Sequence, residues 1–560
     1  MSSPSLPPAV PSYRSDLWRL AVGIGVLIFA LLGGRPLMNP DEGRYTEIPR
    51  EMAVTGDYVT PRLNGVKYFE KPPLQYWLSA ATFEVFGFNE FTARFWCGAF
   101  ALGGALLTYA AGRAFYGRDT GLAAALVLAT SLLYNGLSRV VLLDLIVSVL
   151  MAAALFAFLA AVRESAGTKR RWLFWAFYAA MALATLAKGL IGFALPCAVA
   201  GLWVLGLNRW GRLRPFHPFS GTLVFLAIAA PWHVFAARAN GDFLYFYFVH
   251  EHYLRFTTQV HERVEPWWYF GPVLLIGLFP WVVFLFQSLR HNLRDGWRAR
   301  SANDVAWFLL IWIGFIVLFF SKSQSKLVPY ILPVFPAAAV LIGRYLAGAW
   351  GQSKATIGRG GLGVAAGLFL AMALAVSVFP VRNDPTLAAE LRPWRWALAG
   401  WLVLSGGAIA WLVARRGVRS GLVALVFGMA GLLVLSDPVI ALADRRSTKP
   451  LALQLKAQAA PDEEVFSYRD YFQDLPVYLG RTVSVVGYEG ELAFGIHSEP
   501  DKTAARFVDE SEFLRRWALP GRRYALARRR DIAALLAQSE FPHVVLGEYR
   551  GRVLLTNRPR

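Results

Sequence analysis

The chain has 560 residues, 56% of them hydrophobic and 17% charged, with a formal net charge of +20. Its apolar residues gather in long runs, which excludes an ordinary soluble protein with several small cores. The positive excess sits in short connections between those runs, so it reads as membrane topology and no nucleic-acid partner is expected.

A bilayer-spanning helix needs about 20 mostly apolar residues. Thirteen such runs are expected, near 17–36, 92–112, 121–137, 143–162, 172–187, 190–207, 220–236, 268–289, 304–320, 327–346, 361–380, 396–414 and 421–437. The first is longer than a signal-peptide core and lacks a small-residue cleavage site, so it reads as a retained helix. Cys97 and Cys197 each fall inside an apolar run, as small core hydrophobes do. Alternate connections carry Arg14 and Arg19, Arg113 and Arg118, Arg209 to Arg214, Arg290 to Arg300 and Arg415 to Arg419, which marks the cytoplasmic side. The amino terminus is then inside and the carboxyl terminus outside. The expected fold class is mainly α, a polytopic helical bundle over 1–440, followed by a small α/β domain over 441–560.

Long outer loops are expected over 37–91 and 237–267, and long structured loops are more often functional than decorative. The first opens "NPDEGRYTEIPREM". There Asn39 can cap, Pro40 suits a first helical position, and Glu42 fits the far end of a capping box. Asp41 shares a helix face with Arg44 and Tyr45. It reads equally as a local ion pair or as a carboxylate at the lip of a pocket.

The same loop ends in "YFEKPPLQYW". Pro72 and Pro73 stop a regular helix and set the backbone, and the aromatic stretch after them suits the membrane interface. Lys71 is placed there either as a snorkelling cation or as a phosphate ligand. Glu70 beside it is a candidate metal ligand or amine partner. Asp144, in "VVLLDLIVSVL", is a carboxylate at the mouth of a span, which defaults to function unless it caps its helix. Topology puts it on the side of Asp41 and Lys71.

The second outer loop interleaves His250, Glu251, His252, Arg255 and His261 with aromatic residues. His-x-His alone is a weak metal signal, whereas an arginine among aromatics could clamp a phosphate bidentately. Lys322, Lys326 and Tyr330 enter the proline-punctuated span "KLVPYILPVFPA" from the same side. "GRGGLG" follows no strand and leads into a span, so it is no dinucleotide site. With no Walker loop either, no nucleotide cofactor is expected. Cations gathered at headgroup depth suit a lipid-linked sugar whose phosphate leaves when the sugar moves.

Those motifs, "NPDEGRYTEIPREMAVTGDYVTPRLNGVKYFEKPPLQYW" and "KLVPYILPVFPA", resemble the bacterial lipid A aminoarabinose transferase family of C-type integral-membrane glycosyltransferases. The resemblance implies transfer of 4-amino-4-deoxy-L-arabinose from undecaprenyl phosphate to a phosphate of lipid A. The reaction would occur at the periplasmic face of the inner membrane and lower sensitivity to cationic peptides such as polymyxin. It implies Lys71, Arg255 and Tyr330 on the donor phosphate, with Lys326 near. Asp41, Tyr45, Tyr68 and Asp144 would surround the sugar and acceptor, Arg44 is a further substrate-binding candidate, and Glu70 with His250 would hold a divalent metal such as zinc. The alternatives are a protein O-glycosyltransferase using a similar donor, and a lipid or ion transporter.

Overall fold

The computed structural model describes residues 12–254, 265–350, 358–379, 384–538 and 541–558. Each of the thirteen apolar runs contains helix there. Among the described residues eight helices are long and apolar enough to cross a membrane, and counting each of two pairs bent at short breaks as one span brings that to ten. The other three runs form α1 (Tyr13–Phe29), α8 (Thr168–Lys188) and α9 (Ile191–Leu207). The protein is a multi-pass membrane protein.

Between α1 and the long helix α4 (Glu90–Tyr116), the first loop folds into α2 (Asp41–Thr55), a two-strand hairpin of β1 (Arg62–Leu63) and β2 (Val66–Lys67), and α3 (Leu74–Phe86). α3 starts directly after Pro73, as the paired prolines require. α5 (Arg118–Thr130) and α6 (Leu132–Ser138) are bent by 64° and lead to α7 (Leu143–Ala161), which opens with Asp144. α10 (Pro218–Ala239) is followed by a π-helical segment, Tyr245–Leu254.

The last membrane helix, Val418–Ala443, is followed at Lys449 by a helix with Pro450 in its first turn. Six strands then form one sheet in the order β5 (Phe507–Val508), β4 (Ser484–Val486), β3 (Val465–Tyr468), β6 (Tyr524–Arg528), β8 (Arg552–Thr556) and β7 (Val544–Tyr549). The first four are parallel, and β8 runs antiparallel to both of its neighbours, β6 and β7. Strand order reverses between β3 and β6, and ligand sites in such sheets favour the carboxyl ends of the strands near that point.

One sheet face packs a core of its own, with Phe466, Phe513, Trp517 and Ile532. The other shares a continuous core with the first loop, in which Tyr45, Ile48, Met52 and Tyr76 meet Leu475, Tyr478 and Leu526. The C-terminal domain is thereby clamped onto α2. On α2 the approach is close at Gly43, where a Cβ would stand 2.5 Å from the Asp474 backbone nitrogen. Only glycine fits such a seam.

Candidate functional site

The expected capping box at α2 is replaced by tertiary contacts. The N-cap position is Pro40, without a side-chain cap. Asn39 instead bonds the Asp474 carboxylate and, at 3.0 Å, the Arg446 carbonyl. Glu42 is buried and takes two hydrogen bonds from Arg94, at 2.7 and 2.8 Å, with Arg35 3.6 Å away. It also accepts from the backbone N–H groups of Met38 and Val141. A carboxylate so deep is stable only with this many donors, and the bundle supplies more of them than a local box could.

Asp41 follows Pro40 out to the rim, its side chain 51% exposed, 3.2 Å from Arg44. The local ion pair and the pocket-lip reading therefore hold together. Arg44 is buried and also pairs with Glu491 of the C-terminal domain. Burial opposes its charge, but the Glu491 carboxylate beside it acts the other way, and its hold on the proton is raised. Burial pushes Glu491 above the usual carboxylate range, with Arg44 acting against it. Gln473 fixes its other oxygen at 2.7 Å.

These groups stand on the wall of a cavity of about 730 Å³ lined by Asp41, Arg44, Tyr45, Glu70, Lys71, Asp144, Lys188, His250, Glu251, Tyr330 and Glu491, with Phe246 and Phe494. A narrower compartment of about 120 Å³ continues from it, lined by Val147, Met151, Ile191, Leu195, Phe319 and Phe320. Glu70, Lys71, Asp144, Lys188, Glu251 and Tyr330 border both. A polar chamber thus opens onto an apolar one across a junction bearing two ammonium groups, Lys71 and Lys188, beside three carboxylates, Glu70, Asp144 and Glu251. That is the chemistry an amphiphile with an anionic head needs.

At the junction Lys71 donates to the Glu70 carbonyl at 2.6 Å and lies 3.3 Å from a Glu251 oxygen. Lys188 forms an ion pair with Asp144 and sits 4.7 Å over the Tyr330 ring. Asp144 does not cap α7, whose N-cap position is Leu142 without a side-chain bond. On the far wall Phe246 stacks on His250 at 5.1 Å and on Phe494 at 3.7 Å, which joins the second loop to the C-terminal domain.

Sequence reasoning missed Lys188, Glu251 as a wall residue, and Glu491. Lys188 was reachable: counting crossings puts it on the same side as Asp144. Glu491 carried no signal, because nothing local ties it to a loop 450 positions away. Two expected residues are placed elsewhere. Lys326 donates to the Glu265 carbonyl at 2.8 Å and is not on the cavity wall. Tyr68 is fully buried behind Arg44, its hydroxyl without a hydrogen bond among the described residues. Arg255 falls outside the described residues.

The expected zinc pair is also corrected. Glu70 and His250 line the same cavity, but an ammonium stands among the donors. Lys71 lies 3.9 Å from a Glu70 oxygen, and His250 Nδ1 is 3.3 Å from Glu251. Among the described residues no group of three or more His, Cys, Asp or Glu side chains is arranged to hold a metal ion. The residues described here do not fit zinc, which prefers four close ligands without a cation between them.

Comparison with known proteins agrees with this architecture. A family model described as dolichyl-phosphate-mannose-protein mannosyltransferase matches residues 35–247, and one described as aminoarabinose transferase C-terminal domain matches 451–557. An undecaprenyl phosphate-alpha-4-amino-4-deoxy-L-arabinose arabinosyl transferase of Sodalis glossinidius is 31% identical over 88% of this chain and 90% of its own length. One from Pectobacterium atrosepticum is 35% identical over 60% of each chain. Among solved structures, ArnT from Cupriavidus metallidurans bound to undecaprenyl phosphate superposes with a TM-score of 0.85 at 28% identity, covering 98% of this chain and 99% of that one. The chain belongs to the undecaprenyl phosphate-4-amino-4-deoxy-L-arabinose arabinosyl transferase family of membrane glycosyltransferases.

Proposed function

We propose that this protein transfers 4-amino-4-deoxy-L-arabinose from undecaprenyl phosphate to a phosphate of lipid A, at the periplasmic face of the bacterial inner membrane. The observation that carries the proposal is the two-part cavity, apolar below and polar above, with Lys71 and Lys188 where the parts meet. The polyprenyl tail enters the apolar compartment and its phosphate meets the two ammonium groups. Tyr330 borders the same junction, and the resemblance adds Arg255. The basic connections on the opposite side of the bundle support the periplasmic orientation.

The amino sugar then lies in the polar chamber, where Asp41, Asp144 and Glu491 offer carboxylates to its ammonium. An oxygen of the lipid A phosphate bonds to the anomeric carbon. The bond from that carbon to the undecaprenyl phosphate oxygen breaks, and its electron pair stays on the departing phosphate. The nucleophile is already an anion, so no group must take a proton from it. What the reaction requires is alignment and cancellation of repulsion between two phosphates, which fixed cations supply. Placing an ammonium on lipid A lowers its negative charge and so its attraction for cationic peptides.

The mannosyltransferase match over 35–247 favours a second reading, a protein hydroxyl acceptor. That chemistry needs a general base, and Asp41 is its candidate. Two variants separate the readings, assayed with undecaprenyl-linked aminoarabinose and lipid A and read by mass spectrometry of the lipid A. Asp41→Asn retains turnover within a few-fold, whereas Lys71→Ala loses about 100-fold or more, the scale of one fixed charge-stabilising group. Equal loss in both variants, with a pH profile reporting a single carboxylate, would favour the hydroxyl acceptor.

A further inference from the structure

The C-terminal domain has a second large cavity, at the end of its sheet away from the first. Gly490 and Glu491, which line the reaction chamber, follow the carboxyl end of β4. The second cavity, about 740 Å³, is built from residues 462–465, 481–484, 505–506 and 520–523, the segments that lead into β3, β4, β5 and β6. Because these strands are parallel, all four segments reach the same edge of the sheet.

Its charge is mostly positive. Arg481, Lys502, Arg506, Arg522 and Arg523 line it. Three of them are held by backbone carbonyls, although Arg523 also lies 3.6 Å from Glu464, and Lys502 pairs with Glu499 at 2.8 Å. Arg481 bonds the Pro461 carbonyl, Arg506 that of Asn64 at 3.0 Å, and Arg523 that of Leu519 at 3.0 Å. Of the three carboxylates on the same wall, Asp462, Glu463 and Glu464, the last two are engaged locally. Glu464 accepts from Ser484 at 2.7 Å and Arg516 at 3.1 Å, and lies 3.6 Å from Arg523, while Glu463 caps the Ala460 N–H at 2.7 Å. Arg506 also reaches across to the β1–β2 hairpin. Gly65 there has φ +81°, and any side chain at that position would collide with the Arg506 guanidinium.

Guanidinium groups held in place around a polar hollow recognise phosphate, and the polar lining suits sugar hydroxyls. We propose that this cavity binds a phosphorylated saccharide, supplied by the acceptor's own head group at a point beyond the phosphate that reacts. The inference rests on the glycolipid acceptor proposed above, and makes the C-terminal domain its second point of contact.

Two measurements on the full-length protein in detergent test it, with Arg481→Gln/Arg522→Gln alongside the charge reversal Arg481→Glu/Arg522→Glu. Variants that keep the wild-type melting temperature are read. In calorimetric titration the wild type binds glucosamine 6-phosphate but not glucosamine, and the variants weaken that binding by about tenfold or more, as loss of charge-assisted bonds requires. In transfer assays the variants raise KM about tenfold for lipid A carrying a phosphorylated core saccharide and leave lipid A alone unchanged, the pattern of a lost remote binding contact. Phosphosugar binding that the variants abolish, with equal KM for both acceptors, assigns the cavity to a free phosphorylated sugar and overturns the head-group role. No preference for the phosphorylated sugar in the wild type overturns the inference altogether. If the wild type modifies neither acceptor, the acceptor proposal fails, while the titration still decides whether the cavity binds phosphate.

Discussion

Arg94 shows how little of a residue's role lies in its immediate neighbourhood. It is fully buried near the start of α4, and its guanidinium N–H groups reach Glu42 twice and the carbonyls of Leu32, Arg35 and Pro36. This one side chain ties the connection before α2 to the bundle and holds Glu42, next to Asp41 of the cavity wall. Arg94→Ala strands the Glu42 carboxylate without its main partner, an arrangement that costs about 3–5 kcal/mol. The expected outcome is a lower melting temperature of the detergent-purified protein and a matching loss of expression. Glu42→Gln paired with Arg94→Met, which removes both members of the pair and leaves Arg35 to its other partner Asp437 at 3.8 Å, recovers part of it. Asp41 behaves oppositely. Half-exposed and paired with Arg44, its conservative substitution spares the fold and reports on the chemistry alone.

At the scale of elements, α2 is the piece on which the site depends. One side carries Asp41, Arg44 and Tyr45 to the cavity, while Glu47 and Glu51 are buried against the C-terminal domain. Glu51 accepts the Gly65 N–H at 2.9 Å, and Arg50 spans Glu47 and the Gly480 carbonyl. Burial, reinforced by the charge of Glu47, raises Glu51 from the ordinary 4.5 to about 8, with Arg50 acting against it. Burial likewise raises Glu47. Between those two pH values the folded protein holds a proton on Glu51 that the unfolded chain has released. Its stabilising contribution is therefore complete below about 4.5 and is lost as pH rises toward about 8. Melting temperature should fall across that window, and Glu51→Gln should flatten the slope. An unchanged slope would place the titrating group elsewhere.

At the scale of the whole molecule, the reaction chamber belongs to two domains at once. Its walls come from the first loop, α7, α8, the π-helical segment, the turn before the span at Tyr330, and the C-terminal Glu491 and Phe494. Gly43 sets the spacing between α2 and the C-terminal domain. Gly43→Ala forces a methyl group against backbone at Asp474, so Glu491 should lose its hold on Arg44. The expected result is transfer reduced at least about tenfold with the membrane bundle still folded, in keeping with the sensitivity of catalysis to small misplacements. Limited proteolysis should then release the C-terminal domain more readily than from the wild type.

Hydropathy and charge placement alone determined that the chain is a many-helix bundle, where its long loops lie, and that Asp41, Lys71 and Asp144 share one side. Those properties follow from burying apolar runs and leaving arginines in short connections, which are local facts. Tertiary structure alone decided the partners. Asn39 bonds Asp474 instead of capping α2, Lys188 meets Asp144, and Glu491 grips Arg44. A buried charge takes whichever counter-charge the fold brings within reach, and at separations of tens to hundreds of residues no spacing rule records which one that is.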